Sequence, residues 1–297
     1  MAATDKKIRV LILGCGYLGT HLAKKVIEIG WKVTALTKND ADLEALTKLG
    51  VSTVKANLES GSWHSDVGGD FDFVVNCVSS GKKGIEGYRK SYVEGQKSIL
   101  QWMQRYHYCG KFVYTSSSSV YPQYLGEDVD ELADTSDAST YGEVLLESES
   151  IVMQMPADWT ILRLSGIYGP ERTYFIDLVK REEPISGEME AYMNLVHVDD
   201  VVSAILACLL SEKASKQVFN VSDGTPIARV ELARWIAQEA CVAFPVFLGH
   251  IDSPRTLLRK GKNGKTPNRR VRANKIRDAL GWEPIFASYS KGMIDLV

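Results

Sequence analysis

Ser117 and Tyr141 are the two residues of this 297-residue chain whose types and spacing could move a proton on a substrate oxygen. Ser117 lies in the run Lys111-Phe-Val-Tyr-Thr-Ser-Ser-Ser-Ser-Val-Tyr121. Tyr141 follows 24 residues later and heads Tyr141-Gly142-Glu143-Val144-Leu145. A serine hydroxyl can hold a substrate hydroxyl by a hydrogen bond, and a phenol can give or take its proton. A free tyrosine has a pKa near 10, so only about 0.1% is phenolate at pH 7. A fixed cation alongside lowers that pKa by roughly 1–3 units. One helical turn beyond Tyr141 the chain carries Leu145, which has no charge to offer.

A second group of residues points to a bound anion. Gly14-Cys15-Gly16-Tyr17-Leu18-Gly19 follows an apolar stretch at 8–13 and opens a segment with Leu18, Leu22, Val26 and Ile29 on one side. In a G-x-G-x-x-G turn the glycines permit the tight bend, the approach of backbone to a pyrophosphate, and close packing of helix on strand. The helix N-terminus then offers free N–H groups to the anion. The run alone is weak, but the strand before it and the helix after it supply the context of a dinucleotide site. The plain alternative is a tight turn with no ligand. Gly14, Gly16, Tyr17, Leu18 and Gly19 are the expected cofactor loop. An acid about 20 residues further on would mark NAD. Here that place reads Leu36-Thr37-Lys38-Asn39-Asp40. Lys38 can pair with a 2′-phosphate and Thr37 or Asn39 can hydrogen-bond it, so NADP is the expected cofactor. NAD is the alternative, with Lys38 a solvated loop lysine and Asp40 a helix N-cap.

These residues need a scaffold, and the hydrophobic pattern supplies one. Apolar runs at 8–13, 32–36, 51–55, 71–78, 111–116 and 159–164 alternate with helical segments at 17–30, 40–49, 85–108 and 141–153. That alternation predicts an α/β fold, a doubly wound parallel sheet covered by helices on both faces. The serine cluster then ends a strand at the carboxyl edge, where open α/β sheets bind ligands. After Pro170 the pattern loosens into a helix at 175–180, a strand at 194–198, a helix at 200–210, a strand at 217–221 and helices at 229–240 and 273–280. We expect residues 194–221 to return to the main sheet. The predicted division is a dinucleotide-binding Rossmann domain of 1–170 plus 194–221, with a small C-terminal α/β substrate lobe of 171–193 plus 222–297.

Bulk composition narrows the partners. With 35 basic and 37 acidic residues the net charge is −2, which gives no bulk hold on nucleic acid or membrane. Cys15, Cys77, Cys109, Cys208 and Cys241 are widely spaced and odd in number. They read as reduced thiols, three of them buried. No leader and no apolar stretch of spanning length is evident, so a cytoplasmic protein is expected. His197 with Asp199 and Asp200 reads as a strand histidine beside a helix N-cap, and no metal is expected. Arg255–Arg272 carries eight basic residues in 18. Its alternatives are a grip on the diphosphate of a nucleotide sugar or a solvated loop. It lacks the aromatic interleaving of a nucleic-acid surface. Arg270 and Arg272 are the expected contacts to a substrate anion. Glu127–Asp137 reads as a solvated flap.

Several of these pieces together resemble the extended branch of the short-chain dehydrogenase/reductase superfamily, the NAD-dependent epimerase/dehydratase family. They are Gly14–Gly19, Val74-Val75-Asn76-Cys77, Thr115–Tyr121, Tyr141, Leu162-Arg163-Leu164-Ser165-Gly166-Ile167-Tyr168-Gly169-Pro170 and Asn194-Leu-Val-His-Val-Asp-Asp200. The resemblance implies that Ser117, with Ser118 beside it, orients a substrate hydroxyl while Tyr141 exchanges its proton. It also implies cofactor contacts at Asn57, Leu58, Cys77, Val78 and Tyr141, and a substrate contact at Tyr168. A homodimer through the helices at 85–108 and 141–153 is implied by resemblance alone. Four positions depart from the family pattern: Leu145 replaces the lysine, Leu13 a first glycine, Tyr92 an asparagine, and Asn57 an aspartate. Two functions follow. One is an NAD(P)-dependent oxidoreductase or epimerase working on a hydroxyl of a sugar-like or nucleotide-sugar substrate. The other is a non-catalytic NAD(P)-binding sensor or scaffold, favoured by Leu145.

Overall fold

A computed structural model describes residues 7–80, 84–249, 251 and 253–297. In chain order its elements begin β1 (Arg9–Leu13), α1 (Tyr17–Glu28), β2 (Lys32–Thr37), α2 (Asp40–Lys48), β3 (Ser52–Lys55), α3 (Trp63–Val67) and β4 (Phe73–Asn76). They continue α4 (Gly84–Arg89), α5 (Gly95–Tyr106), β5 (Lys111–Ser117), β6 (Glu127–Val129), α6 (Thr140–Met153), β7 (Asp158–Leu164) and β8 (Gly166–Tyr168). Then come α7 (Tyr174–Lys180), β9 (Tyr192–Met193), β10 (Leu195–His197), α8 (Val198–Leu210) and β11 (Gln217–Val221). The chain closes with β12 (Ile227–Ala228), α9 (Arg229–Glu239), α10 (Pro254–Leu257), β13 (Arg269–Val271), α11 (Asn274–Leu280) and α12 (Tyr289–Met293).

Seven strands form one parallel sheet in the order β11-β7-β5-β4-β1-β2-β3. β1 pairs with β2 through Leu13↔Leu36 and with β4 through Leu13↔Asn76. Chain order therefore reverses direction at β1, the switch point where such sheets open a crevice. The strands are apolar on both faces because helices cover both; in β1 Val10 to Leu13 are all buried.

Three expectations need correction. The helix expected at 85–108 is two α-helices joined by a π-helical turn at Lys90–Glu94. The strand expected at 194–198 does not join the main sheet: β10 pairs in parallel with β8, and only β11 returns. Asn194 explains this, since its Nδ2 donates to Arg269 O (2.9 Å) and its Oδ1 accepts from Val271 N (2.7 Å), tying the segment to β13. The flap expected at 127–137 begins as β6, paired in parallel with β13.

The chain falls into two compact units. The first comprises Met1–Ser116, Val144–Leu162 and Ile205–Val218. Its core is built on Leu11, Leu36, Trp63, Trp102, Phe112 and Ile161. The second comprises Ser117–Glu143, Arg163–Ala204 and Phe219–Val297, with a core around Ile176, Leu195, Leu232, Ile236 and Met293. All five cysteines are free thiols; Cys15, Cys77 and Cys208 are buried. Among the described residues no helix is long and apolar enough to cross a membrane, and no cluster of His, Cys, Asp and Glu could hold a metal ion.

Candidate functional site

In the first unit the glycine loop has the geometry its spacing implies. Gly14 leaves β1 at φ +76°, a left-handed conformation that glycine adopts without strain. A Cβ there would lie 2.5 Å from Val78 Cα and 2.7 Å from Val78 N. At Gly16 a Cβ would meet nothing within 4 Å, so space is open above that peptide. At Gly19 it would lie 3.1 Å from Gly14 O and 3.2 Å from Cys15 Sγ, which is the close packing of α1 on the loop. The three glycines thus serve turn, approach and packing separately. α1 has no side-chain cap on its N-terminus and no acid in its first turn, leaving that end to a ligand anion. Tyr17 packs its ring on His21, while Leu18 is buried. These residues fit the phosphates of a dinucleotide.

At the end of β2, Thr37 is buried and Lys38 is exposed. Lys38 forms no ion pair among the described residues. Asp42, on the first turn of α2, accepts from Asn39 Nδ2 at 2.9 Å and lies 3.5 Å from Thr37 Oγ1. Asp40 is not the cap that the NAD alternative supposed: Asn39 holds the N-cap position, and Asp40 pairs with Lys55 at 2.5 Å. Asn57 is exposed. Leu58 is buried against Gly95, and its carbonyl accepts from Trp63 Nε1 at 2.9 Å. Cys77 and Val78 follow β4, where Asn76 Oδ1 accepts from Val78 N at 3.0 Å. Burial pushes the Cys15 thiol up to about 12, with a small lowering from Thr20, and raises that of Cys77 as well. Neither is a nucleophile at neutral pH.

The serine cluster divides its labour by position. In the first unit Thr115 donates to Asn76 O (3.1 Å) and Ser116 to Glu149 Oε1 (2.6 Å), so both hydroxyls serve the interior. In the second unit Ser117 Oγ accepts from Ser119 N (3.2 Å) and Ser119 Oγ (3.0 Å). With two bonds accepted, the Ser117 proton is left to donate elsewhere. Ser118 is buried and its carbonyl accepts from Arg269 Nη2 at 2.8 Å. Tyr141 lies half-buried in the first turn of α6, followed by Gly142. A Cβ on Gly142 would lie 3.2 Å from Ser119 O, so this glycine lets α6 approach the serine turn. Tyr121 donates to Asn220 Oδ1 (2.8 Å) and accepts from Arg163 Nη1 (3.0 Å). Burial holds its phenol above the ordinary tyrosine range, and the Arg163 guanidinium opposes that only in part.

The other expected substrate residues have ion-pair or ring partners of their own. Arg270 Nε and Arg272 Nη2 share Asp128 at 3.0 and 2.7 Å. Tyr168 is buried against His197, ring centroids 5.3 Å apart, and its hydroxyl has no hydrogen-bond partner. Asp200 is not an N-cap: it sits inside α8, fully buried, and accepts from Ile285 N (2.5 Å) and Phe286 N (3.2 Å). Arg269 and Gly142 are the residues that sequence reasoning missed. Both lie in segments already singled out, but only the fold shows which arginine of Arg269-Arg270-Val271-Arg272 turns toward the serines.

The sequence model of the NAD dependent epimerase/dehydratase family matches residues 10–222. The chain is 26% identical over 303 residues to the chloroplast stem-loop binding protein of 41 kDa b of Arabidopsis thaliana, covering 96% of this chain and 77% of that relative. Among solved structures it resembles dTDP-glucose 4,6-dehydratase of Bacillus anthracis in complex with NAD: TM-score 0.80, 18% identity, 97% of this chain and 94% of that one. It also resembles UDP-glucose 4-epimerase of Thermotoga maritima with UDP-glucose: TM-score 0.80, 20% identity, 97% and 96% coverage. At these identities the structures show the fold.

Proposed function

Since the chain belongs to the NAD dependent epimerase/dehydratase family, we propose that it is a nicotinamide-dinucleotide-dependent oxidoreductase or epimerase acting on a hydroxyl of a sugar-like or nucleotide-sugar substrate. The observation that carries this reading is Ser117, whose hydroxyl accepts two bonds and keeps its proton for a ligand, while Thr115 and Ser116 do not. Two accepted bonds polarise that proton and make Ser117 the better donor. Ser117 orients the substrate oxygen and Tyr141 exchanges its proton. Gly14, Gly16 and Gly19 with the N-terminus of α1 hold the pyrophosphate. The bound dinucleotide supplies hydride acceptance and return. Residues 171–193 plus 222–297 form the substrate lobe in this reading. Pairing of chains through the helical segments at 85–108 and 141–153 belongs to the same proposal and is checked by light scattering.

Lys38, exposed and without an ion pair among the described residues, supports NADP. Asp42, which engages Asn39 and lies beside Thr37, supports NAD, because its carboxylate repels a 2′-phosphate. Fluorescence titration of NADPH and NADH decides between them. NADPH binding that falls about tenfold in Lys38→Ala, one lost charge-assisted contact, supports NADP; tighter NADH binding by the native chain removes it.

The catalytic assignment is tested by nucleotide-sugar and sugar-phosphate turnover, followed by nicotinamide absorbance. Ser117→Ala and Tyr141→Phe should each lower kcat/KM by roughly 10²–10⁴. Unchanged turnover in Tyr141→Phe would remove its role. Leu145 favours the second reading, a dinucleotide-binding sensor or scaffold. Dinucleotide binding with no turnover of any substrate in the panel would select it.

A further inference from the structure

We propose that Arg269 receives an oxyanion of the substrate, a carboxylate or a phosphate carried close to the hydroxyl that Ser117 holds. This inference rests on the reading above and deepens it by naming a substrate class.

Three neighbouring arginines on and beside β13 have different fates. Arg270 and Arg272 are neutralised by the one carboxylate of Asp128. Arg269 has no such partner: among the described residues no carboxylate pairs with it, and its one hydrogen bond runs from Nη2 to Ser118 O. Its Nε is buried without a hydrogen-bond partner, as is that of Arg270, but Arg270 has Asp128 as counter-charge and Arg269 has none among the described residues. Its Nη1 makes no hydrogen bond among the described residues and the side chain is half-buried, so that edge of the fork can meet a ligand. Burial pushes this guanidinium down to about 10, the mark of a cation lacking a counter-charge. Keeping an unpaired cation in such a place is unfavourable unless an anion arrives to pair with it.

Its placement is fixed rather than incidental. The Arg269 carbonyl accepts from Asn194 Nδ2 at 2.9 Å, and β13 is paired with β6 through Arg269↔Glu127. A second guanidinium, Arg163, stands 5.2 Å over the Tyr121 ring at the end of the same serine turn and adds positive potential there. A planar fork with free N–H groups suits a carboxylate or phosphate edge. Since Arg269 already binds the carbonyl of Ser118, the residue after Ser117, the anion lies within one residue of the reacting hydroxyl. That geometry suits a substrate whose acid lies close to the hydroxyl, such as a sugar acid or a sugar phosphate.

The test titrates inorganic phosphate and, separately, glycolate into the full chain by calorimetry, with and without NADH. Wild type should bind at least one, and which one separates phosphate from carboxylate substrates. Arg269→Gln should weaken that binding roughly 10–100-fold, the worth of charge-assisted hydrogen bonds. Arg270→Gln and Arg272→Gln should leave it within about threefold, as expected for exposed paired charges. If Arg269→Gln fails to fold by circular dichroism, Arg269→Lys replaces it; Lys keeps the charge but loses the fork, and binding should still fall. No binding of either anion by wild type overturns the proposal, as does unchanged binding in the Arg269 variant or an equal loss in the Arg270 and Arg272 variants. Wild type that binds NADH but neither anion sinks this inference and leaves the dinucleotide reading standing; failure to bind NADH or NADPH sinks that reading separately.

Discussion

Leu145 stands one turn beyond Tyr141 and is fully buried, so the position holds a core side chain. Leu145→Ala should destabilise by about 2–5 kcal/mol, the usual cost of a large-to-small change in a packed core. A denaturant melt giving less than about 1 kcal/mol would mean that the site is loosely packed and could accept another residue type. Ser117 and Tyr141 were singled out in the sequence through the family resemblance, which expects a serine three residues before Val120-Tyr121 and a tyrosine at the start of the next helix. Arg269 was not. Three arginines within four residues look alike until β13 pairs with β6 and Asp128 claims two of them. Likewise, nothing in a row of serines says that Ser116 is spent on Glu149 while Ser117 keeps its proton.

At the scale of elements, β1, the glycine turn and α1 form one device, and its tightest point is Gly14. Gly14→Ala would force a Cβ to within 2.5 Å of Val78 Cα at a φ of +76°. The loop must shift, so we expect NADH or NADPH affinity to fall at least about tenfold, the scale of one displaced charge-assisted contact. Affinity equal to wild type in the same titration would show that the turn is not the phosphate site. The sequence predicted this device well because a glycine at each of three positions restricts what the backbone can do there. It predicted the single helix at 85–108 less well. A π-helical turn changes hydrogen bonding by one residue and leaves the apolar periodicity nearly intact, so no residue pattern announces it.

At the scale of the molecule, the second unit buries two carboxylates that stability must reckon with. Burial raises Asp223 and Asp200 from 3.8 to about 6 each; backbone hydrogen bonds to both, and Arg277 beside Asp223, oppose that, while Asp199 reinforces it at Asp200 and Asp200 reinforces it at Asp223. Burial raises the Tyr168 phenol, and the charges of Asp223 and Asp200 raise it further. A folded-state value above the unfolded one means that the native form binds protons the unfolded chain has released between about pH 4 and 6. The stabilisation is therefore complete below about pH 4 and lost as pH rises through 6. Asp223→Asn keeps an acceptor for Thr225 N, bonded at 2.9 Å, but cannot ionise. Its Tm relative to wild type should be higher at pH 8 than at pH 5; an equal difference at both values would contradict the burial argument. The sequence by itself determined the parallel α/β sheet, the tight glycine turn after β1 and the family, because strand alternation, glycine spacing and local motifs are short-range properties of a chain. Only the tertiary structure decided which serine is free, which arginine lacks a counter-charge, and that β10 leaves the main sheet. Those outcomes depend on hydrogen bonds between residues far apart in sequence, where many partners compete and geometry admits one.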